Sequence, residues 1–251
     1  MARPAKQIIA PIETTPDALT ATVFSRAREV EAPELKLSKG LRLNVRLKMD
    51  GLKFLAKLPG GRIPVAFLDP QYRGVLDKLG YGNEGEQRGR ARCELPQMTA
   101  EMIHKFVRGI DAALMPSGHL FLWMDKYHLC TGFSDWLSGT QLDIVDMLTW
   151  NKGKMGMGYR TRRLGEHLIV LQKEPRRAKG VWKIHNIPDV WHEEVKRNGH
   201  THKKPVDLQG ELIAAVSNVG DIVIDPAAGS FSVMEACKMH GRNFLGCDIK
   251  G

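Results

Sequence analysis

Phe67-Leu68-Asp69-Pro70-Gln71-Tyr72 is the stretch on which the fold turns. Val65 to Leu68 is an apolar run of strand length, and Pro70 lacks the amide hydrogen that a continuing ladder needs. Asp69 and Tyr72 are therefore delivered at the carboxyl end of a buried strand. Open α/β sheets hold their ligands at that end. A carboxylate that accepts amine hydrogens, beside a ring that stacks on a flat base, points to chemistry on an exocyclic amino group.

Outward from this stretch, strand and helix signals alternate. Leu41 to Leu47 has the period of a strand, Asp50 follows it, and Gly51 to Leu58 reads as a short helix stopped by Pro59-Gly60-Gly61. Thr99 is placed to cap a helix running to Leu114. Strands are expected at His119–Met124, Leu142–Trp150, Glu166–Gln172, Ile222–Asp225 and Asn243–Asp248, with helices over Pro205–Val219 and Phe231–His240. About seven strands alternating with helices is the pattern of a mostly parallel, Rossmann-like α/β sheet with helices on both faces. Residues 1–40, with Pro4, Pro11, Pro16 and Pro33, read as an arm or irregular extension with a short helix near Asp17–Glu29. Residues 41–251 read as the domain. Within it, the glycine- and arginine-rich residues 73–97 are too long for an ordinary connection and are expected to be a mobile functional loop.

A second chemical site lies in Ile222-Val223-Ile224-Asp225-Pro226-Ala227-Ala228-Gly229-Ser230-Phe231. A strand entering a small-residue turn and then a helix is a nucleotide-type cradle. Asp225 at the strand tip would repel a pyrophosphate and suits a ligand bearing a cation, such as S-adenosylmethionine. Asp248, ending the next strand, is placed for ribose hydroxyls.

The charge is concentrated. Lys152 to Lys204 holds fourteen Lys and Arg against five Asp and Glu, a surplus equal to the +9 of the whole chain. Such clustering favours a polyanion, with Lys152, Arg160, Arg162, Arg163, Arg176 and Arg177 as the candidate DNA-binding residues. Residues 173–199, mixing basic residues with Trp182 and Trp191, read as an insertion. Cys93, Cys130, Cys237 and Cys247 lack CxxC spacing and read as reduced thiols. His185, His192, His200 and His202 lack the spacing of a metal site, so no metal is expected. No run reaches the length of a membrane span, and no signal peptide is visible, which predicts a cytosolic protein.

In sum these motifs resemble the amino-group DNA methyltransferases with permuted motif order, the β class. Asp69-Pro70-Gln71-Tyr72 is similar to their catalytic Asp-Pro-Pro-Tyr. Trp150-Asn151-Lys152 resembles their tryptophan-any-lysine, and Glu166 the glutamate opening the next strand. His200-Thr201-His202-Lys203-Lys204-Pro205 is similar to His-Pro-Thr-Gln-Lys-Pro. Asp225 to Phe231 resembles Asp-Pro-Phe-x-Gly-Ser-Gly, and Gly241 to Asp248 follows Gly-Arg-x-x-x-Gly-x-acid.

The resemblance implies a seven-stranded methyltransferase sheet, catalysis by Asp69, Pro70, Gln71 and Tyr72, and residues 173–199 as target-recognition region. It implies S-adenosylmethionine held by Asp50, Asp225, Pro226, Ala227, Gly229, Ser230, Phe231, Asp248, His202 and Lys204, the last two near the cofactor carboxylate. A flipped base would stack on Tyr72 while Asp69 and the Pro70 carbonyl accept hydrogens from its amino group. An acid at position 69 favours adenine N6 over cytosine N4. A homodimer, in a bacterial or phage-infected cytosol, is the expected assembly, and a paired restriction enzyme is not legible. Gln71 in place of the second proline and Phe231 in place of a small residue are departures. They keep open a DNA-binding protein with impaired activity, and structured RNA remains a third substrate class. Each residue also has a plainer reading: Asp69 as a turn cap, Lys204 as a solvated helix-start lysine, Trp182 and Trp191 as packing.

Overall fold

The computed structural model describes residues 36–71, 98–156, 161–194 and 203–251. The expected helix near Asp17–Glu29, the loop 73–97, and Tyr72, Arg160 and His202 lie outside the described residues.

The strands are β1 (Leu47–Lys48), β2 (Ile63–Leu68), β3 (Leu114–Met124), β4 (Leu142–Asn151), β5 (Gly165–Lys173), β6 (Val190–His192), β7 (Ile222–Asp225) and β8 (Asn243–Asp248). The helices are α1 (Gly51–Leu55), α2 (Ala100–Ala113), α3 (Lys126–Thr131), α4 (Val206–Val216) and α5 (Ser232–Met239), with a 3₁₀ turn at Ser134–Leu137. The strands form one eight-stranded sheet in the order β1-β8-β7-β2-β3-β5-β4-β6. Pairing is parallel except where β5 runs against β3 and β4.

The connections place the site. From β2 the chain crosses through α2 to β3, and from β7 it crosses through α5 to β8. Since β2 and β7 are neighbours, the two crossovers leave in opposite directions. That divergence opens a crevice beyond the carboxyl ends of β2 and β7, the switch point at which open sheets bind ligands. Asp69 follows β2 and Asp225 ends β7, so the two acids stand at this crevice.

Strand alternation divides the core between two faces. Ala66, Leu68, Leu120, Leu122, Ile169, Leu171, Ile224 and Leu245 pack with Phe54 of α1 and Ile103, Phe106, Val107 and Ile110 of α2. Val65, Phe67, Phe121, Trp123, Leu168, Val170, Val223 and Phe244 pack with Leu208, Leu212 and Ile213 of α4 and Val233 and Ala236 of α5. Burying each large side chain contributes roughly 1.5–3 kcal/mol, and Trp123, Phe54, Phe67, Phe121 and Phe244 are all below 2% exposed. Thr99 caps α2 through its Oγ1, which accepts from the Met102 amide at 3.2 Å.

Several expectations need correction. The strand at Leu41–Leu47 shrinks to Leu47–Lys48, because Asn44 turns left-handed at φ 58°. Its side-chain oxygen accepts from the Phe244 amide at 2.8 Å, so a side chain takes the place of a ladder bond. The strand expected from His119 begins at Leu114, since α2 passes directly into β3 and the irregularity falls inside the strand. Residues 173–194 are not a detached insertion. Val181 is buried, the Lys183 amide donates to the Ala215 carbonyl at 2.8 Å, and β6 adds an eighth strand beside β4.

Candidate active site

Acids stand at the tips of four consecutive strands: Asp50 beyond β1, Asp248 on β8, Asp225 on β7 and Asp69 beyond β2. Asp50 caps α1, accepting from the Lys53 amide at 2.9 Å. Gly51 lets this helix approach the neighbouring turn, since a Cβ there would lie 2.3 Å from the Pro226 carbonyl oxygen. Asp248 accepts from the Gly229 amide at 3.2 Å and the Lys250 amide at 2.9 Å, tying the small-residue turn to β8. Asp225 is 5% exposed and accepts from the Ala227 amide at 3.1 Å.

Burial is the main force on Asp225. It pushes the carboxyl up to about 8, the Ala227 hydrogen bond opposes the rise, and the charges of Asp69 and Asp248 add to it. The Cys247 thiol is likewise raised to about 12, by burial and by the charges of Asp225, Asp248 and Asp50. The crevice is thus electronegative, and a bound cation would relieve it. Gly229 has φ 48° with nothing within 4 Å of where a Cβ would sit, so the turn is open on its ligand side.

Phe231 departs from its expected role. Its ring is 1% exposed, packs 5.9 Å from Phe244 and lies under the Arg46 guanidinium at 5.1 Å. Its backbone is left-handed, at φ 58° and ψ 33°. The position needs a positive φ, which a small residue would supply without strain; here the side chain is part of the buried core.

On the other side of Asp69 the structure assembles an ion cluster. The Lys204 ammonium lies 3.2 Å from Asp69 Oδ2 and 2.8 Å from Glu166 Oε2. The Lys152 ammonium lies 2.9 Å from Glu166 Oε1. The Trp123 ring backs Lys204 at 4.7 Å, and the Trp150 ring backs Lys152 at 5.8 Å. Burial alone would raise the Glu166 carboxyl; the charges of Lys204 and Lys152 outweigh it and hold it down at about 2. Burial would lower the Lys204 ammonium, and Asp69 and Glu166 overcome it and raise it above the usual lysine range. Glu166 is the site residue that sequence reasoning missed: its motif was visible, but nothing local named its partners.

Gln71 is exposed, and its carbonyl accepts from the Met98 amide at 2.7 Å. The amide that replaces a proline therefore meets no packing constraint. Pro70 is buried directly after Asp69.

The basic residues divide. Arg162 and Arg163 lead into Gly165, which pairs with Asn151 at the same sheet edge as Asp69. Arg176 pairs with Asp143 at 3.4 Å and Glu174 at 3.0 Å, and Asp143 begins β4 at the opposite edge. Asp69, one residue beyond Leu68, is level with Leu168, so Arg176 and Arg177, beyond Lys173, lie farther than roughly 17 Å from it along the strands at about 3.3 Å per residue. Arg162 and Arg163 thus stand nearer to Asp69 than Arg176 and Arg177 do. Trp182 and Trp191 donate their ring N–H groups to the Ile184 carbonyl and to Glu193, as packing residues do. Among the described residues no group of His, Cys, Asp and Glu could hold a metal, and no helix is long and apolar enough to cross a membrane.

Comparison with known proteins agrees with this arrangement. A family model described as DNA methylase, N6/N4 type, matches residues 65–251. The chain is 52% identical over 208 residues to the Type II methyltransferase M.HhaII of Haemophilus parahaemolyticus, covering 82% of this chain and 91% of that protein. It is 23% identical over 225 residues to the Type II methyltransferase M2.DpnII of Streptococcus pneumoniae, covering 80% of this chain and 83% of that protein. Among solved structures, the PvuII DNA methyltransferase (cytosine-N4-specific) superposes with a TM-score of 0.61 at 14% identity, over 80% of each chain. The M1.HpyAVI–SAM complex does so with a TM-score of 0.55 at 16% identity, over 80% of this chain and 90% of that one. A motif order, a switch-point crevice and a family match over most of its length agree: the chain belongs to the N6/N4 DNA methylase family.

Proposed function

We propose that this DNA methylase transfers a methyl group from S-adenosylmethionine to the N6 amino group of an adenine flipped out of duplex DNA. The observation that carries the reading is the Asp69 carboxylate, set beside a crevice whose other wall is the acidic Asp225 and Asp248 pair. The residues fit the cofactor, because a sulfonium and ammonium ligand satisfies a buried, electronegative turn that would reject a pyrophosphate. One solved neighbour was obtained as a SAM complex, which supports the same ligand here.

S-adenosylmethionine, held by Asp225 and Asp248, would supply the methyl group, its C–S bond breaking as the amino nitrogen's lone pair forms the new C–N bond. Asp69 accepts hydrogen bonds from the amino group, which turns that lone pair toward the donor, and takes the proton that the methylated nitrogen loses. Asp225 and Asp248 hold the donor; holding the reacting atoms near ~3 Å contributes much of the acceleration. Arg162 and Arg163 supply positive charge for the DNA backbone at this end of the sheet, while Lys152 is engaged by Glu166 at 2.9 Å. Tyr72 is assigned to stack on the extruded base. An acid at position 69 favours adenine N6 over cytosine N4. A homodimer in the cytosol accompanies this reading, with exposed Ile144, Val145 and Met147 on β4 as the apolar surface available to it; sedimentation at working concentration tests it.

The decisive experiment incubates the purified chain with methyl-labelled S-adenosylmethionine and genomic DNA, then maps modified bases by sequencing. N6-methyladenine at a defined site is expected. N4-methylcytosine, or label on RNA alone, would replace the reading, and DNA binding without transfer would make the chain a binding module.

A further inference from the structure

The ion cluster directs Lys204 to Asp69 and Glu166, whereas the family resemblance places it near the cofactor carboxylate. Its ammonium is directed to two carboxylates, Asp69 Oδ2 at 3.2 Å and Glu166 Oε2 at 2.8 Å, and is backed by the Trp123 ring at 4.7 Å. An ammonium has three donors, and this one has two carboxylates and an aromatic face around it. Glu166 is fixed in turn by Lys152 at 2.9 Å. The four groups come from four places: Asp69 beyond β2, Lys204 before α4, Glu166 on β5 and Lys152 after β4. Their charges alternate and sum to zero.

The alternation matters for the chemistry of an amino group. Among the described residues, the charged groups around Asp69 are Lys204, then Glu166 and Lys152 behind it, and Asp225 on the neighbouring strand. Asp225 disfavours a second anion beside it; an ammonium at 3.2 Å favours one. An ionised carboxylate only accepts hydrogen bonds, whereas a protonated one turns a donor toward a donor. The ion pair also fixes the orientation of the carboxylate through Oδ2.

We propose that Lys204 is a positioning residue for Asp69: clamped by Glu166, it keeps the carboxylate ionised and oriented toward the amino group being methylated, and does not bind the cofactor. This rests on the methyl-transfer reading above.

The test compares Lys204→Met, Lys204→Arg and Glu166→Gln with the wild-type chain. It measures kcat at saturating DNA and S-adenosylmethionine from pH 5 to 9, and cofactor Kd by calorimetry. Lys204→Met is expected to lower kcat about a hundredfold, to leave the cofactor Kd within about threefold, and to move the acidic limb of the kcat profile up by about one pH unit or more. Lys204→Arg keeps the charge and restores most of the activity. Glu166→Gln removes an anion beside the cluster and leaves Lys204 charged, so the limb is expected not to rise while kcat falls through the loosened clamp; Lys204→Gln carries the test if Lys204→Met does not fold. A tenfold weaker cofactor Kd with kcat unchanged at saturation would make Lys204 a cofactor ligand and overturn the proposal. A loss of kcat in Lys204→Met with no shift of the limb would reduce it to a structural ion pair. A wild-type chain without transfer would fail the methyltransferase reading instead, and the calorimetric comparison would still decide whether Lys204 serves the cofactor.

Discussion

Ala66 of β2 and Ile224 of β7 are register partners on neighbouring parallel strands. One residue on, Phe67 stands level with Asp225, so Asp69 projects two residues farther toward the mouth, roughly 7 Å at about 3.3 Å per residue. Asp225 therefore lies deeper in the crevice than Asp69, the acid proposed to meet the base. Asp69→Ala should abolish methyl transfer, by about a thousandfold or more, while calorimetric binding of S-adenosylmethionine persists. Retained transfer would show that the reacting acid lies elsewhere.

Asp225 makes cofactor affinity depend on pH. Burial raises its carboxyl to about 8 in the ligand-free protein, whereas a cationic ligand prefers the ionised form. Affinity should therefore increase as pH rises toward 8, with proton release visible as a dependence of calorimetric heat on the buffer's ionisation enthalpy. The sign for stability is the reverse. A carboxyl raised above its unfolded value near 4 contributes stability that is present below that value and lost as pH rises through 8. Thermal stabilisation by S-adenosylmethionine should accordingly be larger at pH 8.5 than at pH 6, and Asp225→Asn should flatten the difference.

His119 acts in the opposite direction. Its ring is 2% exposed, packed 5.8 Å from Trp182 and 6.2 Å from Phe121, and burial lowers it to about 4. Between the unfolded value near 6.5 and 4 the unfolded chain binds the extra proton, so acidification removes up to about 3 kcal/mol. Urea denaturation at pH 7 and pH 5 measures the loss, and His119→Phe should reduce it.

Phe231 carries two opposed terms. Replacing it with glycine relieves a left-handed backbone, worth about 1–2 kcal/mol, and removes a ring buried to 1% exposure. Deleting such a ring costs about 3–5 kcal/mol, so the ring wins. Phe231→Gly should lower stability by roughly 1–4 kcal/mol in chemical denaturation. At temperatures where the variant remains folded its cofactor Kd should change little; a large change would return the ring to the ligand pocket.

The arginines are expected to differ in their effect on DNA binding. Arg162→Ala and Arg163→Ala should each weaken DNA binding severalfold and reduce the salt dependence by about one counterion. Arg176→Ala, whose guanidinium is engaged by Asp143 and Glu174 at the far edge, should leave both unchanged. Fluorescence anisotropy across a salt series reads all three. An equal effect from Arg176→Ala would put DNA on both edges.

Much of this architecture was written locally. Pro70 and Pro226 end strands because proline cannot continue a ladder, and each has an acid directly before it. Uninterrupted apolar runs of strand length at Val65–Leu68 and Ile222–Ile224 located the crevice walls, and Thr99 marked the start of α2. The exceptions have physical causes as well. Leu41–Leu47 has a strand's period, but Asn44 turns left-handed and bonds β8 through its side chain. Val190–His192 is too short to carry a period, and becomes a strand because β4 offers a free edge.

The sequence by itself determined the order of the elements, the acids at their tips and the family to which they belong, since each depends on residues a few positions apart. Only the tertiary structure decided that Lys204 meets Asp69 and Glu166, that Phe231 packs in the core, and that Arg176 pairs with Asp143 at the start of β4. These depend on which strands become neighbours. That choice follows from burying both faces of the sheet at once, and no window of sequence contains it.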